Sequence, residues 1–239
     1  MKILKSEKLR DSMAYILCLE TSTTVCSVAL ARDGRLLALR EINAGYSHSE
    51  NITKFIGEVC SEGNIELKNL DAIAVSKGPG SYTGLRIGVS TAKGLCYALD
   101  KPLIAVETLK SLAGCCLHSN VLVHGSLLVP MLDARRMEVY AAVFDSTLKE
   151  ISPVEPVIVT ENSFHEILRN QKAVFFGDGS AKCKPLFENN PNVSFVDVTI
   201  SATGMISLAE EKFAKKEFED VSLFEPFYLK EAMVGMPAR

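Results

Sequence analysis

The sequence has no cysteine pair at C-x-x-C spacing and no close pair of histidines. Its seven cysteines are an odd number and stand mostly in apolar runs. This pattern is typical of reduced thiols in the core of a cytosolic protein and argues against a disulfide framework or a zinc site. The histidines are scattered through different predicted elements: His48, His118, His124 and His165. The sequence therefore predicts no metal centre.

Long apolar runs are also missing. No stretch approaches the length of a membrane span, and the charged residues 2–12 lack the apolar core of a secretory signal. We therefore expect a cytoplasmic protein with no membrane partner. Residues 1–12 are expected to be a disordered tail or an upstream mis-start, with Met13 as the natural beginning.

Positive charge is not in excess. The chain has 26 Lys and Arg against 29 Asp and Glu, a formal net charge of −3. This balance argues against a chain that grips a nucleic-acid backbone alone, because such binding needs a basic surface. A local basic patch at Arg135-Arg136 stays open, whereas Lys212, Lys215 and Lys216 are better explained by a solvated helix face.

The most informative stretch is Asp71–Asp100. An apolar run of strand length is followed by the break Gly78-Pro79-Gly80 and then by helical periodicity. This order places free N–H groups and the positive end of a helix dipole at the turn, so an anion could bind at Gly78, Gly80 and Ser81. The turn matches neither a Walker loop nor a dinucleotide-binding fingerprint. A tight turn without a ligand is an equal alternative.

The predicted helix after this turn has a stripe of small residues. Gly84, Gly88 and Ala92 recur every four residues and share one face, which Leu95 continues. Glycine inside a helix costs about 1 kcal/mol relative to alanine, so two on one stripe indicate a close approach by another backbone. That backbone belongs either to this domain's own sheet or to a partner's helix.

The other patterns predict alternating strands and helices. A capping box at Ser47 and Glu50 begins an amphipathic helix. Strands are expected at Tyr15–Glu20, Val25–Ala31, Leu36–Ile42, Asp71–Ser76, Leu103–Val106, Leu127–Leu132, Met137–Phe144, Ala173–Phe176 and Val193–Ile200. Helices are expected at Ser47–Glu62, Thr83–Asp100, Thr108–Leu117, Glu161–Asn170 and Thr203–Phe218.

Three motifs together resemble the TsaB family, also called YeaZ. They are the turn and helix G-P-G-S-Y-T-G-L-R-I-G, the first strand I-L-C-L-E-T-S-T-T-V-C-S-V-A-L and the segment L-D-A-R-R-M-E-V-Y. The likeness runs from about Tyr15 to the C-terminal F-Y-L-K and covers nearly the whole chain. TsaB is the non-catalytic subunit of the bacterial machinery that makes threonylcarbamoyladenosine (t6A) in tRNA.

The resemblance implies an α/β protein with the actin-like ATPase fold of sugar kinases and Hsp70. We expect two related halves, residues 13–106 and 107–239, with the second half reduced. Whether the C-terminal helix returns to the first half is open. In this fold the first hairpin and a later glycine turn clamp nucleotide phosphates, and the equivalents here are Thr21, Ser22 and Thr23 with Gly177, Asp178 and Gly179.

The implied cleft is degenerate. Glu20 stands where active members of the fold carry the Asp that organises a metal ion. No cofactor is firmly expected, and any ATP or ADP should bind weakly or at the interface of a complex. Plain turns explain both candidate clamps better than nucleotide binding does.

The resemblance also implies a role beside the catalytic paralogue TsaD. The metal-binding H-x-x-x-H of TsaD aligns with Thr108 and Leu112, which are poor metal ligands. With TsaE as ATPase and TsaC as the source of the threonylcarbamoyl adenylate, the complex modifies N6 of adenosine 37 in tRNAs that read codons starting with A. Contact of this chain with tRNA is expected to be indirect.

In the family, two helices form the surface that pairs with TsaD or with a second copy of TsaB. The expected interface residues here are therefore Ile52, Phe55, Ile56, Gly84, Gly88, Ala92 and Leu95.

Two other activities are alternatives. A stand-alone actin-like ATPase or phosphotransferase could use Asp133 as a general base, although a bond to Arg135 or to its own backbone explains Asp133 better. A glycopeptidase-like hydrolase needs a nucleophile with a base held beside it. His48 lies between Ser47 and Ser49 at a helix start, where that geometry is rare.

Overall fold

The computed structural model describes residues 14–45, 47–119 and 125–230. The predicted tail, residues 1–12, and His124 lie outside these ranges. Among the described helices, none combines the length and apolar character that crossing a bilayer would need.

Ten strands and six α-helices make up the described part of the chain. The strands are β1 Tyr15–Glu20, β2 Val25–Arg32, β3 Arg35–Asn43, β4 Ala72–Gly78, β5 Leu103–Glu107, β6 Ser126–Asp133, β7 Glu138–Phe144, β8 Glu150–Ile158, β9 Lys172–Phe176 and β10 Val193–Phe195. The helices are α1 His48–Glu62, α2 Tyr82–Leu99, α3 Thr108–His118, α4 His165–Leu168, α5 Lys184–Phe187 and α6 Ile206–Lys215.

The strands form two five-stranded sheets with the same order. The first sheet reads β3-β2-β1-β4-β5 and the second β8-β7-β6-β9-β10. In each sheet the first three strands pair antiparallel, and the fourth and fifth then add parallel. The two halves are therefore repeats of one topology, as the actin-like layout requires.

Strand β8 was not expected from the sequence, and its composition explains why. Its sequence contains Pro153 and Pro156, which usually argue against a strand. Because β8 pairs only with β7, it lies at the edge of the sheet. On the side of β8 that has no neighbouring strand, a proline removes no hydrogen bond between strands. The second sheet is thus complete, and the reduction of the second half lies in its helices, α4 and α5, which have four residues each.

Helices α1 and α2 cover one face of the first sheet. Their inward residues join β1, β2 and β4 in one core cluster. Helix α6 packs on the opposite face, where Ile206, Leu208 and Ala209 join residues of β1, β4 and β5. The C-terminal helix thus returns to the first half.

Helix α3 lies between the two halves. Its buried residues Leu109, Leu112 and Cys116 belong to the core of the second sheet, while Thr108 contacts the end of β4 through a hydrogen bond to Gly78. The end of β4 and the glycine turn after β9 therefore lie against α3, at Thr108 and Leu112, and this is where a site would form.

Candidate functional site

The glycine turn between β4 and α2 is occupied by other parts of the chain. The Gly78 N–H donates to Thr108 Oγ1 at 3.1 Å, and the Ser81 N–H donates to the Ser22 carbonyl oxygen at 2.6 Å. A Cβ on Gly78 would overlap the Phe227 carbonyl, and one on Gly80 would overlap the Ser22 backbone. Two of the N–H groups expected to bind an anion are thus already bonded, which favours the alternative of a structural turn.

The stripe of small residues on α2 faces the first hairpin. A Cβ on Gly84 would overlap the Thr21 carbonyl oxygen, and one on Gly88 would overlap Thr21 Oγ1. Thr21 Oγ1 donates to the Gly84 carbonyl oxygen at 2.8 Å. The close approach inferred from the sequence is real, and the approaching backbone belongs to this chain's own domain.

The expected interface residues are therefore mostly internal. Ile52, Phe55 and Ile56 are buried in the core of the first half, as are Gly84, Gly88 and Ala92. Leu95 is half-buried against the same core. Side chains that fill the monomer's core are not free to contact a partner, so these residues would act by shaping the two helices. Docking through α1 and α2 stays a prediction, and it would use their outward faces.

A cleft of about 380 Å³ separates the first hairpin from the second half. Thr23 and Thr24 line one side, and Gly177, Asp178 and Lys184 line the other. Thr21 and Ser22 lie buried behind this surface. Of the six cleft residues predicted from the sequence, Thr23, Gly177 and Asp178 line the cleft, and Gly179 lies against the backbone of Leu132.

Glu20 lies buried at the end of β1. Its Oε1 accepts the Ser22 N–H at 2.7 Å, while Oε2 has no hydrogen-bond partner among the described residues. Burial raises the pKa of Glu20 above its ordinary value, against the lowering effect of the hydrogen bond from the Ser22 N–H. The side chain thus supports the hairpin rather than presenting a charge to the cleft.

The two positions aligned with the TsaD histidines have structural roles. Thr108 is fully buried and accepts the bond from Gly78 that fixes the glycine turn. Leu112 is buried in the second core, with its Cδ2 close to Gly177. Across the described ranges, no three His, Cys, Asp or Glu residues are placed to share a metal ion.

His48 and Asp133 are both held in structural hydrogen bonds. His48 is buried, its Nε2 lies 2.9 Å from the Thr23 carbonyl oxygen, and burial lowers its pKa. The lowered pKa favours a neutral ring, and a neutral ring with its proton on Nε2 donates to this carbonyl and supports the first hairpin. Asp133 Oδ1 accepts the Arg135 N–H at 2.9 Å, as expected for hairpin closure, and it also pairs with Lys182.

Two features of the surface were missed from the sequence. Residues 217–230, the C-terminal strap, run along the first half, where the Phe227 N–H donates to the Lys77 carbonyl at 2.6 Å and Tyr228 contacts Tyr82 with ring centroids 4.9 Å apart. Tyr97 on α2 is 88% exposed. The aromatic residues of F-E-P-F-Y-L-K could have indicated that the strap packs on the protein. The residues that they contact are distant in sequence, so the position of the strap could not be predicted.

Comparison with known proteins gives the family. The family model described as TsaD, tRNA N6-adenosine threonylcarbamoyltransferase, matches residues 42–234. The tRNA threonylcarbamoyladenosine biosynthesis protein TsaB of Haemophilus influenzae is 30% identical over 230 residues, which cover 90% of this chain and 93% of that protein. This chain belongs to the TsaB family.

Solved structures agree with this TsaB assignment. A Pseudomonas aeruginosa protein described as similar to peptidase YeaZ is 25% identical, covers 91% of this chain and 100% of its own, and has a TM-score of 0.75. The activator of 2-hydroxyisocaproyl-CoA dehydratase from Clostridium difficile covers 86% of this chain and 98% of its own at a TM-score of 0.50. At 9% identity that likeness shows the fold alone. The α/β actin-like fold predicted from the sequence is confirmed.

The inward role of the glycine stripe gives a prediction about stability. Gly84→Ala should lower the free energy of unfolding by about 2 kcal/mol, because the new methyl group overlaps the Thr21 carbonyl, which cannot rotate away. Gly94→Ala on the same helix is the matched control. It meets no atom within 4 Å and should raise stability by about 0.5–1 kcal/mol through helix propensity. Chemical denaturation measures both, and equal effects would contradict the packing described.

The burial of Glu20 gives a prediction about pH dependence. Because its folded pKa is raised, Glu20 favours folding below its ordinary value of 4.5, and this contribution is lost as pH rises through the folded pKa. Glu20→Gln stays neutral and keeps an acceptor for the Ser22 N–H. It should therefore be more stable than wild type at pH 7 and differ little from wild type near pH 4.5.

The control for this prediction is Glu20→Leu. That variant leaves the buried Ser22 N–H without its acceptor and should be destabilised by about 1–3 kcal/mol at both pH values. Thermal denaturation across this pH range is the measurement. A Glu20→Gln protein that is less stable than wild type at neutral pH would show that the native carboxylate is charged and needed.

Proposed function

We propose that this chain is the non-catalytic partner of a TsaD-type threonylcarbamoyltransferase. In this proposal it supports formation of N6-threonylcarbamoyladenosine at position 37 of tRNAs that read codons starting with A. The observation that carries the proposal is the structural use of Thr108 and Leu112. One fixes the glycine turn and the other fills the second core, at the positions where TsaD has its metal-binding histidines.

The surface proposed for the partner is the outward side of α1 and α2. Its residues are Ser49, Glu50, Thr53, Lys54 and Gly57 on α1 and Arg86, Ser90, Gly94 and Tyr97 on α2. Neither Gly57 nor Gly94 has an atom within 4 Å of where a Cβ would stand, so both helix backbones are accessible there. A protruding aromatic side chain beside bare helix backbone suits close helix–helix packing.

Further partners follow from the same proposal. A TsaE-type ATPase binds the pair, a TsaC-type synthase supplies the threonylcarbamoyl adenylate, and a homodimer uses the TsaD-binding surface when TsaD is absent. A shared surface is reasonable because related domains meet most simply across a twofold axis. The proposed setting is the cytoplasm, where tRNA is modified.

Nucleotide binding by the isolated chain is the weaker part of this proposal. The cleft of about 380 Å³ is within the size range of small-molecule sites, and Lys184 is a cation on its wall. The side chains that would arrange a metal–nucleotide complex are engaged elsewhere, Glu20 with Ser22 and Asp133 with Arg135. This favours weak binding, or binding completed by a partner, over a stand-alone ATPase.

The proposed surface is tested by a charge on its exposed aromatic residue. Tyr97→Asp should weaken binding to the TsaD-type paralogue by about 2 kcal/mol, roughly a 30-fold rise in Kd, because interface aromatic residues often dominate binding. The fold should be unaffected, since the side chain is 88% exposed in the monomer. Co-purification and titration calorimetry with the paralogue are the measurements.

Ile158→Asp is the matched control. Ile158 is 72% exposed at the edge of the second sheet, away from both helices, so its replacement should leave the Kd unchanged. Equal binding by wild type and Tyr97→Asp would remove the outward face of α2 from the interface. Equal losses in both variants would point to a general effect of the new charge.

A further inference from the structure

The hairpin between β6 and β7 has an unusual turn. Its connecting residues, Ala134–Met137, are called the arginine tip below. Arg135 has φ of 67° and Arg136 has φ of 42°. Positive φ brings the Cβ of an L-residue close to a carbonyl oxygen, so glycine and asparagine are preferred there. Two consecutive arginines in this region make a strained turn.

Residues outside the turn hold it in place through hydrogen bonds and an ion pair. Lys182 Nζ pairs with the Asp133 carboxylate and donates to the Glu138 carbonyl at 2.6 Å and the Arg135 carbonyl at 3.5 Å. Asp178 Oδ1 accepts the Asp133 N–H at 2.9 Å. Strained backbone persists only where its surroundings hold it, and such positions cluster at functional sites.

The guanidinium groups of the tip are available for a ligand. Arg135 and Arg136 are exposed, and within residues 14–45, 47–119 and 125–230 neither guanidinium has a hydrogen bond or ion pair. A third cation, Lys230, reaches the same hairpin and pairs with Glu138.

The position of the tip decides between two anionic ligands. A nucleotide in the cleft would contact the cleft walls, and the walls include Leu132 and Asp178 but no residue of the arginine tip. The tip instead projects from the second half as two adjacent exposed cations. Phosphates repeated along a nucleic-acid backbone suit such a pair, because each arginine can bind a phosphate without reading sequence.

We propose that the arginine tip binds the phosphate backbone of RNA directly, and specifically the tRNA on which the TsaD-type complex acts, whereas the sequence alone led us to expect only indirect contact. The proposal rests on the proposed function for the choice of RNA. It also fits the net charge of −3, since the tip adds two contacts to a partner's surface and does not bind tRNA tightly alone.

The test uses two tip variants in complex with the TsaD-type paralogue. Arg135→Asn with Arg136→Gly removes both charges and relieves the backbone, so the Tm of this chain should rise by about 2–4 °C. Arg135→Gln with Arg136→Gln removes the charges but keeps the strain, so its Tm should stay unchanged. In both complexes the Kd for an unmodified tRNA transcript should rise about tenfold.

Salt dependence identifies the contact as one to phosphate. Fluorescence anisotropy with the transcript, between about 50 and 200 mM salt, should show the slope of log Kd against log salt reduced by about 1–2 in both variants. Lys68→Gln with Arg35→Gln is the matched control, because it removes two exposed cations from the first half. Its tRNA affinity and salt slope should equal those of wild type.

Three results would overturn the proposal. They are an unchanged tRNA affinity and salt slope in both tip variants, a fall in Tm on Asn-Gly substitution, and loss of magnesium–ADP binding by the isolated chain while tRNA binding is retained. Failure of the wild-type chain to bind the TsaD-type paralogue would instead contradict the proposed function.

Discussion

The structure of the first half depends on the packing of one hairpin against one helix. The backbone of Thr21 and Ser22 lies so close to α2 that Gly80, Gly84 and Gly88 have no room for a side chain. The hydrogen bonds from Thr21 to Gly84 and from Ser81 to Ser22 hold this contact. In an actin-like nucleotidase the same hairpin would be free to bind phosphate. Here its packing fixes α2 on the sheet, and the outward face of that helix becomes a rigid surface.

Residues at positions where active relatives carry reactive groups have structural roles here. Glu20 supports the hairpin from below, Thr108 holds the glycine turn, and Leu112 fills the space beside Gly177. Each of these contacts joins the carboxyl end of a strand to a neighbouring element, where the fold usually places its reactive groups. These contacts are consistent with the proposed partner role. A chain that binds its partner through outward helix faces can use the residues around its cleft to stabilise its own fold.

Much of the fold could be predicted because its signals are local. The first three strands, α1 and the β4–α2 unit follow from apolar periodicity and turn residues, and the structure has them within a few residues of the expected bounds. Strand β8 was missed because Pro153 and Pro156 are acceptable only at a sheet edge, which is a tertiary property. The glycine stripe was recognised from the sequence, but its contact with Thr21 was not. Spacing along a helix identifies which residues share a face and does not identify what packs against that face. Tyr97 carried no signal for the same reason, since its exposure depends on how α2 lies on the sheet.

The central claim is that the chain acts through the outward faces of α1 and α2 and not through its cleft. Hydrogen exchange of this chain, alone and with a TsaD-type paralogue, tests it most directly. The account predicts slower exchange confined to amides within His48–Glu62 and Tyr82–Leu99 on addition of the paralogue. Slower exchange confined to residues 177–200 on the cleft wall, or no change anywhere, would contradict it.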